Sequence, residues 1–431
     1  MKTAFVIIFY LLLNLTFVFL LTYLPRMKAW FASFKKQKRI FSEKQNRIAV
    51  VVPARNESAV IEDLLKSLEE QTYSKEYFGT HIIIKDPEDK TAELAEKYGA
   101  FIHIAENQTC KGDALDLCFK EIAESDKEYD YFVIVDADCM LHKDFLTELN
   151  NATASGADVI QAKKLVKNYL LKDKKANSMA SMCNGLIWTI IDDMGNRYKA
   201  DKNITGMTIG TGIMLSKELI EKIGGWPYRQ TLTEDMELMN DCDVNGYTTF
   251  YYSYALMYLE ESTSLKVTDK RRTRWLTGLI DAERIYRKRL KNAAVTPEEK
   301  RNRYFVTALK PVFRYIGTLT AGTLLFSVLA AVCGIFGFAE WKIALLFSGI
   351  NFGLIYLSFF VLTLFCLIVE RKNMPVNFFK KAALLFVHPL FYMGYIPIIA
   401  GALFFKVNRG WEVIDRIGIS LNSENDVLKT E

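Results

Sequence analysis

The chain is expected to hold one α/β domain with a mixed, largely parallel sheet, set between membrane-spanning helices. Three observations carry this expectation. Apolar residues gather at the two ends of the 431-residue chain, while most of the charge lies in the middle. The segment Ala4–Leu24 has no charged residue and is long enough, at about 1.5 Å per residue, to cross a roughly 30 Å hydrocarbon layer. The middle repeats short, wholly apolar runs followed by polar turns and amphipathic segments, the pattern of strands alternating with helices across a sheet covered on both faces.

The ends come first. Arg26, Lys28, Lys35, Lys36, Lys38 and Arg39 follow the first apolar segment, against a lone Lys2 before it, which puts the residues after it in the cytoplasm. A cleaved signal peptide fits less well, because the run is long and no small-x-small site follows it. Val312–Phe338, Trp341–Val369 and Ala382–Phe405 suggest three further spans. Pro389 and Pro397 interrupt the last, and Val376–Pro389, carrying Lys380 and Lys381, also suits a segment lying flat at the interface. The expected organisation is a span at 1–25, a cytoplasmic domain at 26–280, amphipathic interfacial helices at 281–311, a membrane region of about three spans at 312–405 and a tail at 406–431. This describes a multi-pass protein of the cell membrane. The seven cysteines show no paired CxxC spacing and the four histidines do not cluster with them, which argues against a zinc site or a disulfide framework. Free thiols fit a cytoplasmic domain.

Within the middle, RIAVVVPARNES gives a strand over Ile48–Val52 that stops at Pro53, and Val60, Leu64, Leu65 and Leu68 then fall at helical spacing. HIIIKDPEDKTAELAEKYGA repeats the plan with a strand over Ile82–Ile84 and a helix ending near Gly99. FIHIAE, KGDALDLCFKEIAE and YFVIVDADC give strand, helix and strand. Ligands of such sheets bind at the carboxyl ends of the strands, where the turns PARNES, KDPEDKT and DADC fall. Past Asp144 the alternation is less regular, with helices expected at Ser178–Met194 and Ser216–Ile223. From Thr268 the chain is strongly basic and reads as amphipathic helices at a membrane surface. Nucleic acid is not the expected partner, because this run abuts apolar spans and no nucleic-acid-binding signature accompanies it.

Asp136 and Asp138, one residue apart at a strand end, can turn their carboxylates to one side, since the pleat has a period of two. Paired hard oxygen ligands suit Mg²⁺ or Mn²⁺, though an isolated Asp-x-Asp also fits a solvated turn. Lys111 stands just before a helix, where a cation and backbone N–H groups favour an anion, or where a lysine is simply exposed. Asp86 and Asp89 suit contacts to a base or ribose, or helix capping, the better reading for Asp89. Glu234 and Asp235 precede a helical pattern; one suits a general base, and both also suit the first turn of a helix capped by Thr233. In RRTRW, arginines suited to a leaving pyrophosphate stand beside a tryptophan suited to a sugar ring, or the run is a basic membrane-surface patch.

Taken in order, VVPARNES, KDPEDKTAELAEKYGA, KGDAL, VDADC, IGTGIMLSKELIEKIGGWP, TEDMELMN, YLEES and RRTRW resemble the motif series of family 2 glycosyltransferases, the membrane-embedded inverting enzymes that include cellulose, hyaluronan and poly-N-acetylglucosamine synthases. The likeness covers about residues 48–280. It implies a GT-A fold, a nucleotide-diphosphate sugar donor, usually UDP-linked, and Mg²⁺ or Mn²⁺. By position, Pro53, Ala54, Arg55, Glu57 and Asp86 would hold the uridine, and Lys111 would lie near the nucleotide or its phosphates. Asp136 would contact ribose and metal, Asp138 the metal, and Asp235, next to Glu234, would be the base. Gly210, Thr211 and Gly212 would line the acceptor site. Arg271, Arg274 and Trp275 match the motif that closes over diphosphate and acceptor in chain-extending members, which favours a growing polysaccharide as acceptor. The turn KDPEDKT is one residue shorter than the usual pattern, which leaves both Asp86 and Asp89 in play. The rival readings are transfer of a single sugar to a lipid acceptor at the cytoplasmic face and an inactive membrane-anchored nucleotide-binding scaffold. The partners implied are the donor, the acceptor and membrane lipids, with room for an accessory secretion subunit.

Overall fold

The computed structural model describes residues 27–171, 176–293, 341–395, 397, 398 and 401. The apolar stretches at 4–24 and 312–338, most of 394–405 and the tail therefore lie outside the described residues.

An eight-stranded sheet forms the centre, in the order β3-β2-β1-β4-β7-β6-β8-β5. Its strands are β1 (Ile48–Pro53), β2 (Phe78–Ile84), β3 (Phe101–Ile104), β4 (Tyr131–Ile134), β5 (Met140–Leu141), β6 (Val159–Val166), β7 (Ile213–Ser216) and β8 (Thr249–Leu259). The half built from β1 to β4 is parallel, as expected from its alternation with α1 (Ile61–Glu69), α2 (Lys90–Lys97) and α3 (Lys111–Glu124). In β1 the side chains divide by parity: Ile48, Val50 and Val52 enter the core on one face, Ala49 and Val51 that on the other. A strand buried on both faces has no polar position to spare, which is why its sequence is apolar throughout. In the other half β7 runs antiparallel to β4 and β6, and β5 antiparallel to β8, so the sheet is mixed.

The helices follow local signals. Asp89 caps α2 by accepting from the Thr91 N–H, and its other oxygen accepts from the Asn56 N–H at 2.7 Å, so the cap also ties the second turn to the first. At α3 the Asp113 carboxylate folds back onto the N–H groups of Thr109 and Cys110. The remaining helices are α4 (Phe145–Ala152), α5 (Met179–Ile191), α6 (Arg197–Ala200), α7 (Lys217–Ile223), α8 (Glu234–Asn245), α9 (Leu265–Ala293), α10 (Trp341–Val369) and α11 (Phe378–Met393). A π-helical turn, Asp192–Asn196, joins α5 to α6.

Several expectations change here. A boundary at 280 falls inside α9, a single helix whose later residues still pack on the domain: Tyr286 is buried and Arg289 pairs with Asp241 at 3.1 Å. Among the described residues one helix, α10, is long and apolar enough to cross a membrane, by length and composition alone. It also docks on the domain, placing Ile355, Phe359, Leu362 and Cys366 in the main core. At its end Glu370 meets buried Lys163 at 3.0 Å, and Lys163 pairs with Asp193 at 2.5 Å. The α11 helix contains Pro389, and Phe378, Phe379, Phe386 and Leu390 are exposed on it; most of the expected span beyond its end lies outside the described residues. The six described cysteines are free thiols. The expectation that no histidines cluster with cysteine is overturned: His81, His103 and Cys118, far apart in sequence, meet where β2 and β3 lie under α3.

Candidate active site

A cavity of about 650 Å³ opens at the carboxyl ends of β1 and β4. Pro53, Ala54, Arg55 and Glu57 line it from the turn after β1, and Asp136 and Asp138 from the turn after β4. Lys111, the first residue of α3, reaches in from beside them. Gly210 and Thr211 enter from the loop before β7, Glu234 and Asp235 from the first turn of α8, and Arg271, Arg274 and Trp275 from α9.

Two of the expected residues do not line it. Asp86 is exposed and its carboxylate accepts from the Glu88 N–H in its own turn. Gly212 is structural: its N–H donates to the Ile134 carbonyl and its carbonyl accepts from the Ala162 N–H, which joins β7 to β4 and β6. Its φ is +64°, and a Cβ there would stand 2.1 Å from the Met257 sulfur, so glycine is required twice over.

Lys111 organises the centre. Its ammonium donates to Asp136 Oδ1 and to the Gly210 carbonyl, both at 2.7 Å, and stands 3.6 Å from Glu234 Oε1. Burial works against its charge, but Asp136 and Glu234 outweigh burial and hold its pKa above the ordinary lysine value. The loop facing it is fixed by buried Gln161 of β6, whose side-chain amide donates to the carbonyls of Thr211 and Gly212 and whose oxygen accepts from the Ile209 N–H. Gly210 lets the loop come close; a Cβ there would lie 3.0 Å from Glu234 Oε1 and 3.5 Å from Asp235 Oδ2.

Asp235 is held by the Gly210 N–H on one oxygen and the Met236 N–H on the other, both at 2.8 Å. Burial first, and the neighbouring Glu234 charge second, push its pKa up to about 7, against the pull of those N–H groups and of Lys111. A carboxylate at that pKa can both accept and hold a proton near neutrality. Thr233 sits at the N-cap of α8 without a side-chain capping bond, and it lines the cavity beside the acids of this turn, Glu234 and Asp235.

The opposite wall is braced by residues to which the motif series assigns no individual role. Fully buried Glu261 accepts from Arg271 at 3.1 Å and from the Trp188 indole at 2.7 Å. The Trp188 ring meets Trp275 edge-on at 5.7 Å, and Arg271 stacks on Trp275 at 5.0 Å. Arg272, one residue along, points away from the cavity and lies over Phe391 and Tyr395, donating to the Phe391 carbonyl at 3.0 Å. Through it the segment at the end of α11 is fastened to α9, and Tyr392 and Tyr395 become part of the cavity wall. Glu261 belongs to the YLEES stretch, so its sequence signal existed; Trp188, Tyr392 and Tyr395 have none beyond being aromatic.

Known proteins resemble this chain in sequence and fold. The family model described as glycosyl transferase family group 2 matches residues 131–370, more than half of the chain. A probable glycosyltransferase of Bacillus subtilis (strain 168), YdaM, is 27% identical over 290 residues, which span 63% of this chain and 66% of that relative. The solved structure of the mannosyltransferase PcManGT from Pyrobaculum calidifontis, in complex with GDP-Man and Mn²⁺, superposes with a TM-score of 0.59 at 16% identity, over 85% of this chain and 99% of that one. The likeness extends to the fold, an α/β GT-A-like architecture around a mixed sheet.

Proposed function

The chain belongs to glycosyl transferase family group 2, and from that premise we propose that it is an inverting membrane enzyme that transfers a hexosyl or N-acetylhexosaminyl unit from a nucleotide-diphosphate sugar to a hydroxyl of a growing polysaccharide. The observation that carries this reading is the convergence of Lys111, Asp136, Asp138 and Asp235 in one cavity closed from the far side by Arg271, Arg274 and Trp275. The donor nucleotide would lie on the β1 and β4 side, against Pro53, Ala54, Arg55 and Glu57, with Lys111 toward its phosphates. UDP is the nucleotide that the motif series implies. The Pyrobaculum relative holds GDP-Man, so GDP-linked sugars belong in the test.

Asp138, 8% exposed on the cavity floor, and Asp136 offer hard oxygen donors of the kind that Mg²⁺ and Mn²⁺ prefer, and the donor set fits such an ion. A bound divalent cation would supply charge neutralisation at the diphosphate. The protein's own part is an in-line displacement. Asp235 accepts the proton of the acceptor hydroxyl as that oxygen bonds to the anomeric carbon; the bond from that carbon to the phosphate oxygen breaks, and its electron pair leaves with the diphosphate. Attack from the face opposite the leaving group inverts the carbon. Arg271 and Arg274 face the cavity from α9, where guanidinium groups offset charge growing on the diphosphate. Trp275, braced by Trp188, offers a flat surface for a sugar ring.

A second reading, transfer of a single sugar to a lipid acceptor, is favoured by one feature. The cavity wall beyond Trp188 is formed by Ile187, Ile190 and Ile191 of α5 and by Tyr392 and Tyr395 near the apolar C-terminal helices. The membrane setting rests on the apolar segments of the sequence and on α10. Sizing the product made from a labelled sugar nucleotide separates the readings: chains of increasing length support polymerisation, and a single-sugar, solvent-extractable product supports the lipid acceptor.

A further inference from the structure

We propose that His81, His103 and Cys118 form a zinc site that fastens α3 to the edge of the sheet, apart from the catalytic cavity. The β2–β3 register pairs His81 with Phe101 and Ile83 with His103, so the two histidines are diagonal neighbours on one face of the sheet. The buried side of α3 brings Cys118 over them. One ligand atom from each of the three residues lies within 4.8 Å of the others, and their exposures are 3%, 8% and 0%.

The two rings meet nitrogen to nitrogen beside the thiol. His81 Nδ1 and His103 Nε2 face each other at 2.9 Å, and each remaining ring nitrogen already has an outer partner. His81 Nε2 meets the Tyr129 hydroxyl at 2.9 Å, and His103 Nδ1 meets the Glu121 carboxylate at 2.5 Å. The Glu121 carboxylate fixes which ring nitrogen of His103 is free for a metal and raises its basicity, and the Tyr129 hydroxyl can accept from His81 Nε2 and so free Nδ1. Glycine at position 79 makes room for the tyrosine, since a Cβ there would stand 2.2 Å from its hydroxyl. Two imidazoles and a thiolate are a borderline-soft donor set suited to Zn²⁺, unlike the carboxylates at the catalytic cavity. Water would complete the tetrahedron. The half-exposed Glu121 side chain marks the approach from solvent.

On binding, the Cys118 thiol loses its proton to solvent and its sulfur bonds the ion; His81 shifts its proton from Nδ1 to Nε2, where the Tyr129 hydroxyl accepts it in a hydrogen bond, so that His81 Nδ1 and His103 Nε2 both donate their lone pairs. The result is a cross-link from β2 and β3 to the helix whose first residue is Lys111.

The competing arrangement holds no metal: Tyr129 donates to His81, His81 to His103 and His103 to Glu121, a chain that satisfies every group except the thiol. The test uses untagged, detergent-purified full chain, stripped with chelator and then titrated with Zn²⁺ and separately with Co²⁺, with Mg²⁺ in excess throughout. One equivalent of Zn²⁺ should bind and raise the Tm, and Co²⁺ should give a thiolate-to-metal charge-transfer band with the d–d bands of a tetrahedral ion. Asp138→Ala should keep both signals and Cys118→Ser should lose both. Glu121→Gln should weaken binding by about 10- to 100-fold. The wild-type cobalt spectrum needs no variant to fold. Absence of the charge-transfer band, or equal Zn²⁺ binding by wild type and Cys118→Ser, would overturn the site in favour of the metal-free chain.

Discussion

Replacing Asp235 with asparagine separates chemistry from binding and from stability. Asparagine is nearly isosteric but takes up no proton, so transfer should fall by the worth of a general base, about 10²- to 10⁴-fold, or roughly 3–5 kcal/mol. With the carboxyl pKa pushed up to about 7, wild-type kcat/KM should fall as pH drops below neutrality, and this limb should vanish in the residual activity of the variant. Stability should move the other way. The folded-state pKa lies above the unfolded one, so the ligand-free wild type is increasingly penalised as pH rises from about 4 to about 7. A rise from about 4 to about 7 bounds the penalty at about 4 kcal/mol; the carboxylate opens to the cavity, where solvent screens it, which reduces the expected penalty to about 1–2 kcal/mol. Asp235→Asn should therefore melt higher than wild type at pH 8, with the advantage shrinking toward pH 4. The assays are transfer from a labelled sugar nucleotide across pH 5–9, nucleotide affinity by calorimetry, and thermal melts at both ends of that range. Near-normal turnover in the variant with an intact acid limb would refute the assignment of the base.

Three other perturbations probe separate parts of the structure. Asp138→Ala should abolish the Mn²⁺-dependent part of UDP or GDP binding while leaving the fold intact, read by calorimetric titration with and without the metal. Glu370→Ala removes one of two carboxylates from buried Lys163, leaving Asp193 as its partner, and should lower stability by about 1–3 kcal/mol, seen as a lower Tm, because the lysine loses a buried hydrogen-bond acceptor. Gly212→Ala should destabilise by at least about 1–3 kcal/mol, since it forces a left-handed backbone as well as a clash with Met257; an unchanged melting curve would contradict the geometry.

The parts of the structure that were legible in the sequence are those where the cause is local. β1 is apolar throughout because both of its faces are covered, and Asp89 caps its own helix. The motif turns fall at strand ends because the chain there must leave the sheet. What could not be read depends on partners distant in sequence. Lys163 and Lys164 look like surface residues in QAKKLV, yet they lie buried because α10 and the π-helical turn bring Glu370, Asp193 and Asp192 to them. Glu261 gains a role only when Arg271 and Trp188 converge on it, and His81, His103 and Cys118 only when strand register and helix packing bring them together. Asp86 falls outside the cavity because a one-residue change in turn length decides where such a carboxylate points, and motif order does not encode that.

The measurement that bears most directly on the central claim is a transfer assay with detergent-purified full-length protein, a panel of UDP- and GDP-linked sugars, membrane extract as acceptor and Mg²⁺ or Mn²⁺. At least one donor should yield a glycosylated product with inverted anomeric configuration and an equal amount of nucleoside diphosphate, and Asp138→Ala and Asp235→Asn should abolish both. A product that retains the donor's configuration, or nucleoside diphosphate release undiminished in Asp235→Asn, would contradict an inverting transferase with Asp235 as its base.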